Sequence, residues 1–233
     1  MTPVLLPGNM CDARLWTGAV RVVLPGAVDA DLGRDNSISG MATRTLAATE
    51  GRLLPVGFSM GAIVAVEMWV QAPARIAGLV LLGYNATADL PERAAHRPEQ
   101  QAEVRSGGLE RVLVEELKPN YLAAEQRGNL ALLNLLRDMG LGLGADVFVA
   151  QSEALRLRDG RVAKLPDIAV PVLYGCGAED ALCPPAWHRR WHELTPDAAF
   201  AEFEGAGHML PLEAPDTLAT TISDWLITQE LNP

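Results

Sequence analysis

The chain has 233 residues, 49% of them hydrophobic and 21% charged, enough apolar material for one substantial core with or without an insertion. Its formal charge of −10 argues against a phosphate backbone or an anionic membrane surface as partner, since nucleic-acid binding needs a concentrated basic face. Three widely spaced cysteines, Cys11, Cys176 and Cys183, lack the paired spacing of a zinc site or a disulfide framework and read as small apolar side chains, so no metal and no cofactor is expected.

The N-terminus MTPVLLPGNM has neither a basic leader nor a long apolar run, and no stretch approaches the ~18 apolar residues of a membrane span, so a cytoplasmic location is expected. Residues 4–6, 21–24, 53–57, 78–82, 170–175 and 198–203 read as strands. Most are apolar throughout instead of alternating, the pattern of strands covered on both faces. Helical segments are expected at residues 12–19, 39–49, 60–71, 185–194 and 215–229, several with Asp or Pro in the first turn. This alternation predicts an α/β fold, a doubly wound, mostly parallel sheet of about six strands. From residue 86 to 167 no clear strand is visible, only Arg- and Glu-rich helical patterns. We expect a core of residues 1–85 and 168–233, with 86–167 inserted as a helical lid.

The stretch LPVGFSMGAIV places Ser59 where the apolar period changes from strand to helix. On so tight a turn flanking side chains would collide, and Gly57 and Gly61 remove that collision. The turn lifts the hydroxyl to the carboxyl end of the sheet, where open α/β sheets bind ligands. It also puts the Met60 N–H at a helix start, facing any oxyanion that forms beside Ser59.

A serine hydroxyl is a poor nucleophile at neutral pH and needs a base, which in turn needs orienting. Of four histidines, His96, His188 and His192 sit in charged surroundings and read as solvated. His208, in the loop EGAGHMLPLEAP after the last strand, lies at the same sheet edge as Ser59 and is the expected base. The loop GAEDALCPP offers Asp180 as the orienting acid, with Glu179 as the fallback. After the first strand, Gly8 allows close approach, and the Asn9 N–H is the expected second oxyanion donor.

The order Ser59, Asp180, His208, with GFSMG, GAEDALCPP and GAGHMLPLEAP, resembles the α/β-hydrolase superfamily over nearly the whole chain. The resemblance implies a nucleophile elbow, an acid loop, a histidine loop and a helical lid. Two departures are visible: Pro7-Gly8 stands where the family usually has His-Gly, and the chain begins almost at the family's third strand. Without the first two strands, residues 21–24 would form an exposed sheet edge on which a homodimer could pair.

The activity expected is hydrolysis of a small-molecule acyl ester of small or medium size. The same triad could serve acyl transfer, perhydrolysis, carbon–carbon hydrolysis or proline aminopeptidase chemistry, and a non-catalytic binding protein on the same scaffold is the rival of another class. Met10, Tyr84 and Met209 neighbour the catalytic elements and are expected to touch substrate. In the lid, Leu113, Leu117, Tyr121, Leu132, Leu133, Leu136 and Met139 recur at helical spacing, which turns an apolar side toward the cleft while burying most of the stripe in the core.

Overall fold

The computed structural model describes residues 1–117 and 121–232. The chain begins with β1 (Thr2–Leu6), α1 (Gly18–Val23), β2 (Val28–Asp29), α2 (Ile38–Ala47), β3 (Leu53–Phe58), α3 (Met60–Gln71) and β4 (Leu79–Leu82). The helices α4 (Pro91–Glu103), α5 (Leu109–Arg111) and α6 (Leu130–Arg156) follow, α6 being interrupted at Gly144, where φ is 86°. The chain closes with β5 (Val172–Gly177), α7 (Pro185–Leu194), β6 (Ala199–Phe203), α8 (Leu210–Glu213) and α9 (Pro215–Thr228).

The strands form one sheet in the order β2-β1-β3-β4-β5-β6, every pair parallel. Parallel pairs need long crossovers, and these wind helices onto both faces. Side chains alternate along each strand, so one strand feeds two cores. Val4 and Leu6, Leu79 and Leu81, and Val172 and Tyr174 join the cluster under α2, α3 and α7. Leu5, Val56 and Phe58, Val80 and Leu82, and Leu173 point the other way, toward Leu15, Val20, Ile222 and Trp225. Both faces are covered, which is why these strands carry no polar alternation. Among the described residues between β4 and β5 there are helices and no strand. No helix among the described residues is long and apolar enough to cross a membrane.

Two elements depart from the sequence expectation, and in the first the helix expected at residues 12–19 is only a one-turn 3-10 helix at Ala13–Leu15, with α1 starting at Gly18. Residues 21–24 are not a strand: Arg21 to Val23 are the last turn of α1, which packs on α9. The edge strand is β2, only two residues long, and the Asp29 carboxylate accepts from the Arg21 guanidinium at 2.7 Å. A short strand bearing a paired charge offers little template for a second chain. The long exposed edge on which pairing between two copies was expected is therefore absent from this part of the sheet.

Candidate active site

Ser59 sits at the turn from β3 to α3 with φ 53° and ψ −113°, a conformation that non-glycine residues rarely adopt. The neighbours explain how the turn is accommodated. A Cβ on Gly61 would lie 2.0 Å from the Leu6 carbonyl oxygen on β1, and one on Gly57 would lie 2.5 Å from the Gly61 oxygen. Neither contact involves a flexible side chain, so only glycine fits at either place. The Ser59 N–H donates to the Leu82 carbonyl at 2.8 Å, tying the turn to the end of β4.

Three loops at the carboxyl edge converge on this hydroxyl. His208 Nε2 lies 3.0 Å from Ser59 Oγ, and His208 Nδ1 lies 2.8 Å from Asp180 Oδ2. The other Asp180 oxygen accepts the N–H groups of Leu182 and Cys183 at 2.9 and 2.8 Å, so the carboxylate is held on both sides. Burial alone would raise its pKa. The charge and hydrogen bond of His208, with the Cys183 amide, bring it instead below the ordinary carboxylate value. Because the Asp180 oxygen accepts at Nδ1, the neutral imidazole presents a bare Nε2 to the serine hydroxyl. Glu179, the fallback acid, turns away from His208 and accepts the Ala124 N–H at 2.8 Å.

The histidine loop is braced by groups that the sequence does not single out. The His208 and Met209 N–H groups donate to the Tyr121 carbonyl at 2.8 and 3.2 Å. Glu213 accepts from the Gly207 and Ala123 N–H groups at 3.0 and 2.7 Å, so one carboxylate clamps this loop to the segment before α6. The rings of Phe58 and Tyr121 flank the imidazole, with centroids 5.1 and 5.9 Å from it.

Asn9 follows β1 beside the serine. At Gly8 a Cβ would press on the Phe58 ring at 2.9 Å and approach Ser59 Cβ at 3.4 Å, so glycine permits the close passage. Among the described residues neither the Asn9 N–H nor the Met60 N–H has an acceptor, whereas the Met10 N–H is already taken by Gln151 Oε1 at 2.9 Å. That oxygen also accepts from Asn9 Nδ2 at 3.0 Å, and Gln151 Nε2 donates to the Leu32 carbonyl at 3.2 Å. A buried glutamine on α6 thus sets the loop that carries Asn9.

The sequence profile of the Alpha/beta hydrolase family matches residues 4–221, the span that carries Ser59 on its strand-to-helix turn, Asp180 and His208. The chain belongs to this family. Its fold is similar to that of a thermophilic esterase from Thermogutta terrifontis, with a TM-score of 0.87 at 24% identity over 98% of this chain and 90% of the other. It is also similar in fold to an enol-lactonase from Burkholderia xenovorans LB400, with a TM-score of 0.81 at 21% identity over 97% and 91% of the two chains. Among curated proteins, a pimeloyl-[acyl-carrier protein] methyl ester esterase of Aromatoleum aromaticum is 30% identical over 95% of this chain and 96% of its own. A putative non-heme bromoperoxidase of Mycobacterium tuberculosis is 26% identical over 82% of this chain and 78% of its own.

In this α/β hydrolase the hydroxyl opens into a cleft of about 300 Å³. The cleft departs from expectation in its lining. Ser59, Asn9, Met60 and His208 face it, but Met10, Tyr84 and Met209 do not. Met10 packs with Phe148 and Leu113, Met209 with Phe58 and Leu210, and Tyr84 is in the core against Tyr174, its hydroxyl pKa pushed up by burial. Proximity in sequence to a catalytic loop does not fix the side on which a side chain falls. The apolar stripe is likewise mostly core: of its members only Leu117 and Tyr121 reach the cleft, while Leu132, Leu133, Leu136 and Met139 pack under Trp16 and Phe58. The wall opposite is polar, carrying Asp89, Arg93, His96, Arg97, Glu116 and Arg158.

His188 also departs from expectation. It is fully buried, with Nε2 accepting the Tyr84 N–H at 2.8 Å and Nδ1 3.3 Å from the Pro184 carbonyl. An amide N–H can only donate, so the Nε2 lone pair must be free and the proton sits on Nδ1. The ring joins the end of β4 to the loop that holds Asp180, and burial pushes its pKa down to about 4.

Proposed function

We propose that this α/β hydrolase is a serine hydrolase that cleaves small or medium acyl esters through an acyl-enzyme intermediate. The observation that carries the reading is the continuous contact Ser59 Oγ to His208 Nε2 to Asp180 Oδ2, with lengths of 3.0 and 2.8 Å. Ser59 Oγ attacks the carbonyl carbon while His208 accepts the hydroxyl proton at Nε2. Asp180 holds the Nδ1–H and favours the imidazolium as it forms. The free N–H groups of Asn9 and Met60 receive the developing oxyanion, the second reinforced by the amino end of α3. His208 then protonates the leaving alcohol, and water repeats the sequence at the acyl carbon, regenerating Ser59. No cofactor enters this scheme.

Residues 86–167 act in this reading as a lid over a core of 1–85 and 168–233, since Tyr121 and Gln151 reach from that segment to the histidine and oxyanion loops. The relative described as a methyl ester esterase supports ester hydrolysis. The relative described as a bromoperoxidase supports a second use of the same residues, perhydrolysis, in which hydrogen peroxide replaces water at the acyl-enzyme.

The test is turnover of p-nitrophenyl acetate or butyrate by the native chain and by Ser59→Ala, with a fluorophosphonate as covalent label. We expect hydrolysis, stoichiometric labelling of Ser59, and a loss of roughly 10⁴–10⁶-fold in kcat on removing the hydroxyl. Turnover unchanged in Ser59→Ala would refute the proposal. Adding peroxide and a halide acceptor assay separates perhydrolysis from hydrolysis.

A further inference from the structure

The charged wall of the cleft is not balanced. The Asp89 side chain is almost entirely buried, yet its carboxylate accepts from two guanidiniums, from Arg97 at 2.6 Å and from Arg158 at 2.8 Å. Arg158 is further fixed by the carbonyls of Thr87 and Leu155, at 3.1 and 3.0 Å. The other carboxylate on this wall, Glu116, is occupied by Gln100 at 2.8 Å and by Arg111 at 2.6 Å. Arg93 lies one turn before Arg97 on α4 and lines the same cleft, and it has no hydrogen bond or ion pair with any described residue. Burial pushes the Tyr121 hydroxyl and the Cys183 thiol, two groups of the cleft wall, well above their ordinary pKa values, and the charge of Arg93 offsets a small part of that rise in each. One carboxylate thus answers two guanidiniums, and Arg93 answers none. In a chain whose overall charge is −10, this leaves local positive potential in the cavity that holds Ser59.

We propose that the cleft takes esters that carry a carboxylate besides the scissile group, and that Arg93 is the residue that selects them, with Arg97 beside it. The proposal rests on the serine-hydrolase reading above and narrows its substrate class from a plain apolar acyl ester to a small anionic one. A guanidinium suits the task because its donors match a carboxylate in pairs and it stays charged at any physiological pH. Arg97 and Arg158 are held by Asp89 and keep the wall rigid, whereas Arg93 keeps its donors for the substrate. A volume of about 300 Å³, at the small end of ligand cavities, suits a short diacid half-ester or an acylated hydroxy acid.

The experiment compares matched pairs, monoethyl succinate against diethyl succinate and acetoxyacetate against its methyl ester, so that the carboxylate falls first on the acyl side and then on the alcohol side. In at least one pair the anionic member should have the higher kcat/KM, by about tenfold to a hundredfold, the range of one charge-assisted contact. That ratio should collapse toward one in Arg93→Gln and fall below one in Arg93→Glu. Equal kcat/KM within both pairs, or a preference that survives Arg93→Glu, overturns the proposal and leaves the hydrolase reading standing. Binding is measured separately: titration of monoethyl succinate and acetoxyacetate into Ser59→Ala and into Ser59→Ala/Arg93→Gln by calorimetry. Binding that weakens about tenfold or more with the second substitution supports the anion site even where no ester is turned over; binding indifferent to it, or none at all, counts against the site.

Discussion

Gln151 and Met10, 141 positions apart in the chain, meet in a 2.9 Å hydrogen bond from the backbone N–H of the methionine to the side-chain oxygen of the glutamine. Met10 has φ 54°, so the loop carrying Asn9 is held in a conformation it would not choose alone. Replacing Gln151 by Leu removes the acceptor and leaves a buried N–H unpaired, which should cost about 1–3 kcal/mol of stability. With the Asn9 amide no longer fixed, kcat for a p-nitrophenyl ester should fall about tenfold or more with KM little changed, because in the proposed mechanism the Asn9 N–H donates to the oxyanion in the transition state. Gln151→Glu keeps an acceptor for Met10 and should retain more of kcat than Gln151→Leu. Steady-state kinetics with urea melts on the two variants checks this; equal losses would remove the assigned role.

The backbone of Ser59 gives a second test, independent of chemistry. Ser59→Ala and Ser59→Gly both remove the hydroxyl and both should abolish ester turnover. They differ in the Cβ that makes φ 53°, ψ −113° unfavourable. Strain of this kind costs about 1–3 kcal/mol, while glycine's looser unfolded chain costs roughly 0.5–1 kcal/mol. Ser59→Gly should therefore melt above Ser59→Ala, by up to about 2 kcal/mol. If Ser59→Ala is the more stable of the two, the strain at this turn is smaller than glycine's cost in the unfolded chain, below about 1 kcal/mol.

What was legible in the sequence was local chemistry. GFSMG announces itself because two glycines and a period change lie within a few residues, and the collisions they prevent are with the adjoining strand and helix. Asp180 and His208 follow because each ends a strand-loop unit at one edge of a parallel sheet. Residues 21–24 misled because Arg-Val-Val-Leu is too short for a period to decide between strand and helix. The true edge strand, Val28–Asp29, is shorter still and carries an exposed aspartate. His188 looked solvated among Arg189, Arg190 and Glu193. It shares a face with Trp191 and Thr195, however, at spacings of three and seven, and both are buried, so the helical period did hold the signal. Gln151 and Glu213 left no such trace, because Met10 and Ala123 are brought to them by tertiary packing, and Arg93 left none because only the fold turns it into the cleft.

The burial of His188 makes the fold sensitive to mild acid. The folded ring has a pKa of about 4 against an ordinary value of 6.5, because burial disfavours its charge and protonation would set a second N–H against that of Tyr84. Between pH 6.5 and 4 the unfolded chain binds a proton at this position and the folded chain does not, so stability rises with pH across that window and is lost on acidification. The loss amounts to about 3 kcal/mol by pH 4. Asp180, whose folded pKa is lowered from 3.8, adds a loss in the same direction only at still lower pH. Glu213, whose pKa is raised, opposes both, since its folded form takes up a proton more readily than the unfolded one above pH 4.5. Comparing two proteins that share Asp180 and Glu213 removes the Glu213 contribution and all of the Asp180 contribution except the part due to charge on His188. His188→Gln, which keeps an acceptor for Tyr84 but cannot titrate, should be less stable than the native chain at pH 7, and the gap should narrow by about 3 kcal/mol as pH falls from 6.5 to 4. Urea unfolding at half-unit pH steps measures it. Parallel curves for the two proteins would mean that the imidazole charges in the folded state as easily as in the unfolded one, and that the loss of stability in acid arises elsewhere.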